Sequence, residues 1–168
     1  MKTNLLTKGY HKIRDEEMFK FIDINEVQWS LQGTIPLQMA VRTPELEMKL
    51  YQTQLLLATT YLKTCRADYV DLVKGMDDNV YDWHNDFEPH KVNLGILLYY
   101  TDIDEETGGA IEFRKLGSTQ VETLYPKQYD ILIINHTENF EHRVTKQKIK
   151  VPRIVGSYHY WADYDSIH

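Results

Sequence analysis

The chain has 168 residues, 42% hydrophobic and 26% charged, with a formal net charge of −6, the profile of one ordinary globular domain able to bury a core. The negative charge argues against a general attraction to nucleic acid or anionic membranes, no apolar run approaches the ~18 residues of a membrane span, and "MKTNLLTKGYHK" lacks a signal-peptide core. The single cysteine, Cys65, excludes an intramolecular disulfide and fits a reducing compartment, so a soluble cytoplasmic protein is expected.

Residues 27–42, "VQWSLQGTIPLQMAVR", carry strand-like pieces broken by Gly33 and Pro36. The strongest predicted helix follows over 43–65. Thr43 suits its N-cap, Pro44 its first position, and Glu45 and Glu47 the positive end of its dipole. Leu46, Leu50, Leu57 and Tyr61 recur at helical spacing with Met48, Leu55 and Leu62 beside them, one broad apolar face laid against something. Cys65 closes this helix as a buried structural thiol. From residue 68 the pattern changes to short runs rich in β-branched, aromatic and leucine residues: "DYVDLV", "VNLGILLYY", "GAIEFRKL", "TQVETLY", "YDILIIN", "HRVT" and "VPRIVGSYHYW". Turn residues separate them at Asp77-Asp78-Asn79, Glu106-Thr107-Gly108-Gly109, Gly117-Ser118, Pro126-Lys127-Gln128 and the Lys-rich 146–150. Such spacing predicts a sandwich or barrel of the jelly-roll kind whose outer face buries the leucines of helix 43–65. The expectation is one α+β domain over 1–168: N-terminal strands and a supporting helix in 1–67, and the jelly-roll core in 68–168.

Within "DWHNDFEP" (82–89), His84 and Asp86 stand two apart, so on a strand both face the same way. A third ligand is available downstream in "NFEHRVTKQK", where His142 follows the hydrophobic run 130–135. Two imidazoles and one carboxylate on one face, with the opposite face open, form the facial triad of non-haem iron(II) sites. The open positions let a cosubstrate and dioxygen meet on one ion.

From about Tyr81 to Trp161 the sequence resembles the iron(II)/2-oxoglutarate-dependent oxygenases, most closely their prolyl 4-hydroxylase-like branch. The resemblance is carried by "YDWHND", "LLYYTDIDEETGGAIEF", "LYPKQYDILIIN", "EHRV" and "VPRIVGS" in that order. It implies a double-stranded β-helix (cupin-like) core with N-terminal supporting helices. It implies further that His84, Asp86 and His142 hold iron(II). Arg153 would grip the distal carboxylate of 2-oxoglutarate, where a planar fork suits two-point binding. Arg153 lies 11 residues past His142, slightly beyond the commonest family spacing, so Lys148 and Lys150 stay as rivals. The alternation Arg153, Val155, Ser157 aims Arg153 and Ser157 into one cavity. Of Tyr99 and Tyr100, alternation lets one face the cosubstrate, and Tyr100 is favoured. Tyr81 and Trp161 are expected to line the pocket. The implied activity is dioxygenase hydroxylation of a C–H bond, of a prolyl residue in a peptide or protein by branch resemblance. Succinate and CO2 are released, O2 is consumed, and ascorbate is a reductant.

Competing readings attach to the same residues. His90 sits in a loop by Pro89 and Lys91, His136 reads as a polar turn, and His159 among tyrosines as a satisfied core histidine or a substrate-side group. Gly108-Gly109 reads as a tight turn, since no helix follows it to bind phosphate. The Lys-rich stretch reads as a solvated hairpin tip. The alternatives for function are a nucleic-acid base oxygenase, disfavoured by charge, and a non-catalytic jelly-roll binding module. A structural zinc would normally need four Cys or His ligands.

Overall fold

In a computed structural model that describes every residue except Ile35, Ile149, Lys150, Tyr164, Ser166 and His168, the chain opens with the short helix α1 (Lys2–Lys8) and runs into β1 (Tyr10–Arg14). A 3-10 turn at Glu16–Phe19, β2 (Trp29–Leu31) and β3 (Leu37–Ala40) lead to α2 (Pro44–Tyr61). Helix α2 starts as its sequence dictates: the Thr43 hydroxyl accepts from the Leu46 amide at 3.2 Å, Pro44 enters the first turn, and Glu45 and Glu47 face the dipole. It ends earlier than predicted. Leu62 turns into extended backbone (φ −126°) and buries its side chain, and Cys65 begins β4 (Cys65–Gly75) instead of closing the helix. Thr59, Thr60 and Thr64 make that end a poor helix former, so burial of Leu62 decides where it stops. The buried face is also narrower than expected. Leu46, Leu50, Leu57 and Tyr61 are inside with Thr53 and Gln54, whereas Met48 and Leu55 are exposed.

The remaining strands are β5 (Tyr81–His84), β6 (Leu94–Tyr99), β7 (Ile111–Lys115), β8 (Glu122–Leu124), β9 (Asp130–Asn135), β10 (Phe140–Val144) and β11 (Arg153–Ala162). They complete two antiparallel sheets, a seven-stranded one in the order β1-β9-β6-β11-β4-β3-β2 and a four-stranded one in the order β5-β10-β7-β8. The result is a double-stranded β-helix sandwich with α2 on its outside, an α+β fold as expected. β1, which the sequence does not announce, caps one edge of the larger sheet by pairing Tyr10 with Ile134 and Arg14 with Asp130.

Two cores lie on opposite faces of that larger sheet. On the helix side, Leu46, Leu50 and Leu57 of α2 pack with Leu94, Ile96, Leu98, Ile131 and Ile133. Between the sheets, Tyr99, Ile111, Phe113, Leu132, Ile134 and Val155 form a smaller cluster. Strand alternation sorts the two sets: on β6, Leu94, Ile96 and Leu98 face the helix, and on β11, Ile154, Tyr158 and Tyr160 do. The opposite residues, Leu97 and Tyr99 on β6 and Arg153, Val155, Ser157 and His159 on β11, face the smaller sheet, where the site lies.

Candidate metal centre

β5 ends at His84, and its register with β10 sets His84 directly opposite His142, with ring centroids 4.2 Å apart. Alternation along β10 turns Phe140, His142 and Val144 inward. Outward, Glu141 pairs with Arg114 at 2.8 Å and Arg143 with Glu112, and both guanidiniums lie over the Trp83 ring of β5, 4.0 and 4.7 Å from its centroid. This outer layer braces the two strands that carry the histidines.

Asp86 lies beyond the end of β5, so strand alternation does not aim it. Asn85 does. Its Nδ2 donates to the carbonyls of Thr137 (2.7 Å) and Phe140 (2.8 Å), and its Oδ1 accepts from the Phe87 amide (2.6 Å). The turn is thereby tied to the entry of β10. Asp86 Oδ1 then lies 3.8 Å from His84 Nε2, and Oδ2 lies 3.7 Å from His142 Nε2. His84 Nδ1 sits 2.6 Å from the Asp82 carbonyl. With Nδ1 as the donor there, Nε2 is left free toward Asp86.

One donor atom from each of His84, Asp86 and His142 lies within 4.8 Å of the other two. Burial first, then the charges of His84, His159 and Arg153, push the His142 pKa down to about 3, so its imidazole is a neutral donor near pH 7. Two imidazoles and a carboxylate are a donor set that fits iron(II), and three donors would leave positions open, unlike a closed structural zinc site.

Beside the triad lies a cavity of about 190 Å³. Val73, Leu97, Ile111, Val144 and Val155 give it apolar lining, and Tyr69, Asp71, Tyr81, Arg153, Ser157 and His159 give it polar lining. Arg153 is 5% exposed, its Nη2 donates to the Tyr99 hydroxyl at 3.1 Å, and its Nε has no partner. Among the described residues no carboxylate lies within ion-pair distance of it. Gly109 (φ 73°) leaves room for its stem: a Cβ there would fall 3.3 Å from Arg153 Cδ. The Gly-Gly turn of the sequence is thus a close approach of backbone to the Arg153 side chain.

Of the other expected site residues, Ser157 and Tyr81 line this cavity and the rest fall elsewhere. Tyr100, favoured over Tyr99, points away from the cavity into the helix-side core. Burial and the neighbouring Tyr158 raise its phenol well above the ordinary value. Tyr99 holds the place expected of it, because Tyr99 pairs with Val155 and shares its face. Ser157 faces the cavity, with its Oγ 2.8 Å from His159 Nε2. Tyr81 lines the cavity, 6.2 Å from His84 ring to ring. Trp161 instead covers the loop after the His-x-Asp turn, 6.5 Å from Phe87 and 5.7 Å from His90. His90 is exposed on that loop. Lys148 donates to the Glu105 carbonyl at 2.8 Å, away from the triad, and Lys150 lies outside the described residues. The lysine-rich stretch is not a plain solvated tip, since Gln147 within it is 2% exposed. His136 is no polar turn either: it is 2% exposed, with Nε2 3.8 Å from Asp86 Oδ2. Sequence reasoning passed over Tyr69, Asp71 and the Asn85 clamp, which carry no motif of their own.

No protein-family model matches the sequence, and no curated protein sequence matches it. The fold is nonetheless shared with solved structures. HygX from Streptomyces hygroscopicus, with nickel, 2-oxoglutarate and hygromycin B bound, superposes with a TM-score of 0.70 at 12% identity, over 95% of this chain and 85% of that one. An oxidoreductase of the 2OG-Fe(II) oxygenase family from Burkholderia pseudomallei gives 0.70 at 12% identity, covering 95% and 88%. A Pseudomonas putida prolyl-4-hydroxylase gives 0.61 at 13% identity, covering 96% and 97%. The chain has the fold of the 2-oxoglutarate/iron(II) oxygenases, prolyl 4-hydroxylases included.

Proposed function

We propose that the protein is an iron(II)- and 2-oxoglutarate-dependent dioxygenase that hydroxylates a C–H bond. The observation that carries this reading is Arg153, a buried guanidinium without a carboxylate partner among the described residues, on the wall of a cavity that also holds His84, Asp86 and His142. A buried cation lacking its counter-ion is costly. A dicarboxylate reaching from the triad to Arg153 would supply that counter-ion.

His84, Asp86 and His142 would hold the metal. Bound iron(II) would activate dioxygen, coupling decarboxylation of 2-oxoglutarate to succinate and CO2 with oxidation of the substrate. Arg153 binds and orients the far carboxylate by a two-point, charge-assisted contact, with the Tyr99 hydroxyl holding the guanidinium in place. Leu97, Ile111, Val144 and Val155 exclude water from the cosubstrate's carbon chain. Tyr69, Asp71, Ser157 and His159 line the part of the cavity left for the substrate. Burial and the carboxylates of Asp86, Asp71, Glu88 and Asp68 push the Tyr69 phenol up to about 12, so it stays a neutral donor.

The finer reading is that the substrate is a prolyl residue in a peptide or protein, supported by the likeness to the P. putida prolyl-4-hydroxylase. A small-molecule substrate is the second reading, supported by the higher fold similarity of HygX, whose structure holds hygromycin B. Anaerobic addition of iron(II) and then 2-oxoglutarate should give a weak visible charge-transfer band, and absence of that band would sink the oxygenase reading. A succinate-release screen with ascorbate present, setting proline-containing peptides beside amino acids and aminoglycosides, decides between the substrates.

A further inference from the structure

The chemistry above leaves one buried polar side chain beside the triad unused. His136 follows β9 directly, and both of its ring nitrogens are buried without a hydrogen-bond partner. An unmatched buried polar atom is destabilising, so a side chain with two of them calls for a partner. An imidazole ring can offer an N–H from either of its two nitrogens.

The ring is fixed on three sides. His159 stacks on it with planes 13° apart and centroids separated by 5.7 Å, and His142 lies 5.5 Å away. The third side is Gly95 of β6. A Cβ at that position would fall 2.3 Å from His136 Nε2, so the imidazole fills the space that any other residue would take. Held there, Nε2 lies 3.8 Å from Asp86 Oδ2, the same oxygen that lies 3.7 Å from His142 Nε2. Closing that gap by about 1 Å gives an N–H···O bond of ordinary length.

We propose that His136 is a positioning residue of the metal centre: its Nε2–H donates to Asp86 Oδ2 and stops the carboxylate from rotating away from His84 and His142. This rests on the reading of His84, Asp86 and His142 as metal ligands. Asp86 needs such a restraint. It is 31% exposed, it lies past the end of β5, and the Asn85 clamp fixes its backbone but not its carboxylate. A hydrogen bond from a buried donor orients a ligand in this way and strengthens metal binding.

The test is anaerobic calorimetric titration of the full chain with Ni2+ alone, giving affinity and stoichiometry, alongside melting of the metal-free protein. His136→Leu should weaken Ni2+ binding about 10- to 100-fold at one ion per chain, with the metal-free protein still folded. His136→Gln, whose amide N–H reaches close to the place of Nε2, should recover most of the affinity. Gly95→Ala should weaken binding in the same direction, although Gly95 neither ligates the ion nor lines the cavity, because it displaces the ring. If His136→Leu does not fold, Gly95→Ala carries the test. Unchanged affinity in the folded variant overturns the inference. So does a wild-type protein that binds two ions and a leucine variant that binds one, which would make His136 a ligand of a second ion held with Asp86 and His159. His142→Ala separates the two readings. If it too leaves affinity intact, the triad assignment falls; if it alone abolishes binding, only the role of His136 falls.

Discussion

Arg153 Nη2 donates to the Tyr99 hydroxyl at 3.1 Å, and the guanidinium lies over the same ring, 5.2 Å from its centroid. The phenol thus meets the cation with both its oxygen and its π face, yet it cannot neutralise the charge.

Arg153→Ala is expected to weaken 2-oxoglutarate binding about 30- to 1,000-fold, the equivalent of ~2–4 kcal/mol for a lost charge-assisted contact. Arg153→Lys should recover part of the loss, keeping the charge without the fork. Tyr99→Phe should cost roughly 2- to 10-fold, the worth of one hydrogen bond, and Tyr100→Phe nothing. Anaerobic titration calorimetry on the metal-loaded protein measures all four. Loss of affinity in Tyr100→Phe with none in Tyr99→Phe would reverse the assignment of the two faces of β6.

His142→Ala should abolish tight binding of one divalent ion, whereas His90→Ala should retain it, since His90 is exposed on the loop under Trp161. Metal content after dialysis reads this directly. Loss of metal in the His90 variant would break the ligand assignment.

Asn85→Ala removes three hydrogen bonds that join the His-x-Asp turn to residues 137 and 140 and to Phe87. The expected cost is on the order of 2–3 kcal/mol, or a melting point lower by roughly 4–10 °C for a chain of this size, together with weaker metal binding. A variant with unchanged melting and unchanged metal affinity would show that the clamp is redundant.

The residues of the candidate site were legible in the sequence because each stands in an ordered motif with its own chemistry: His-x-Asp and a distal histidine after an apolar run for the three that cluster, and an arginine at the head of the last strand for the cavity wall. The helix start was equally plain, through Thr43 and Pro44. The tyrosine was not. β6 is apolar on both faces, so "LGILLYY" has no alternation that says which tyrosine looks inward. That parity is settled by the pairing of Tyr99 with Val155, a contact between residues 56 apart in the chain. His136 was missed for a related reason: a polar residue after a strand looks like a turn unless the glycine that makes room for it, Gly95, is known to lie beneath. The end of α2 was decided by where Leu62 could be buried, which local propensity does not encode.

Cys65 is half-buried on β4 opposite Ala162, and burial raises its thiol above the ordinary value. Less thiolate is present near pH 8 than for a free cysteine, so alkylation by iodoacetamide should be slower than in the denatured chain, rising as the pH is taken upward. Mass spectrometry against the denatured chain checks this. Modification at the denatured rate would mean that β4 opens at its first residue.

β5 is an edge strand of the smaller sheet and pairs with β10 through His142↔His84 and Val144↔Tyr81, with an irregularity between them. So short an edge frays with little cost in the metal-free chain. One of the two facing pairs across this seam is His84 with His142, so an ion held by both would also fasten the strand. At a free-ion concentration 100 times the dissociation constant, such a fastening adds about 2.7 kcal/mol against opening. If His84 and His142 hold an ion as proposed, its loading and the order of β5 rise together, and the amides of Tyr81 to His84 would record occupancy before any substrate is added.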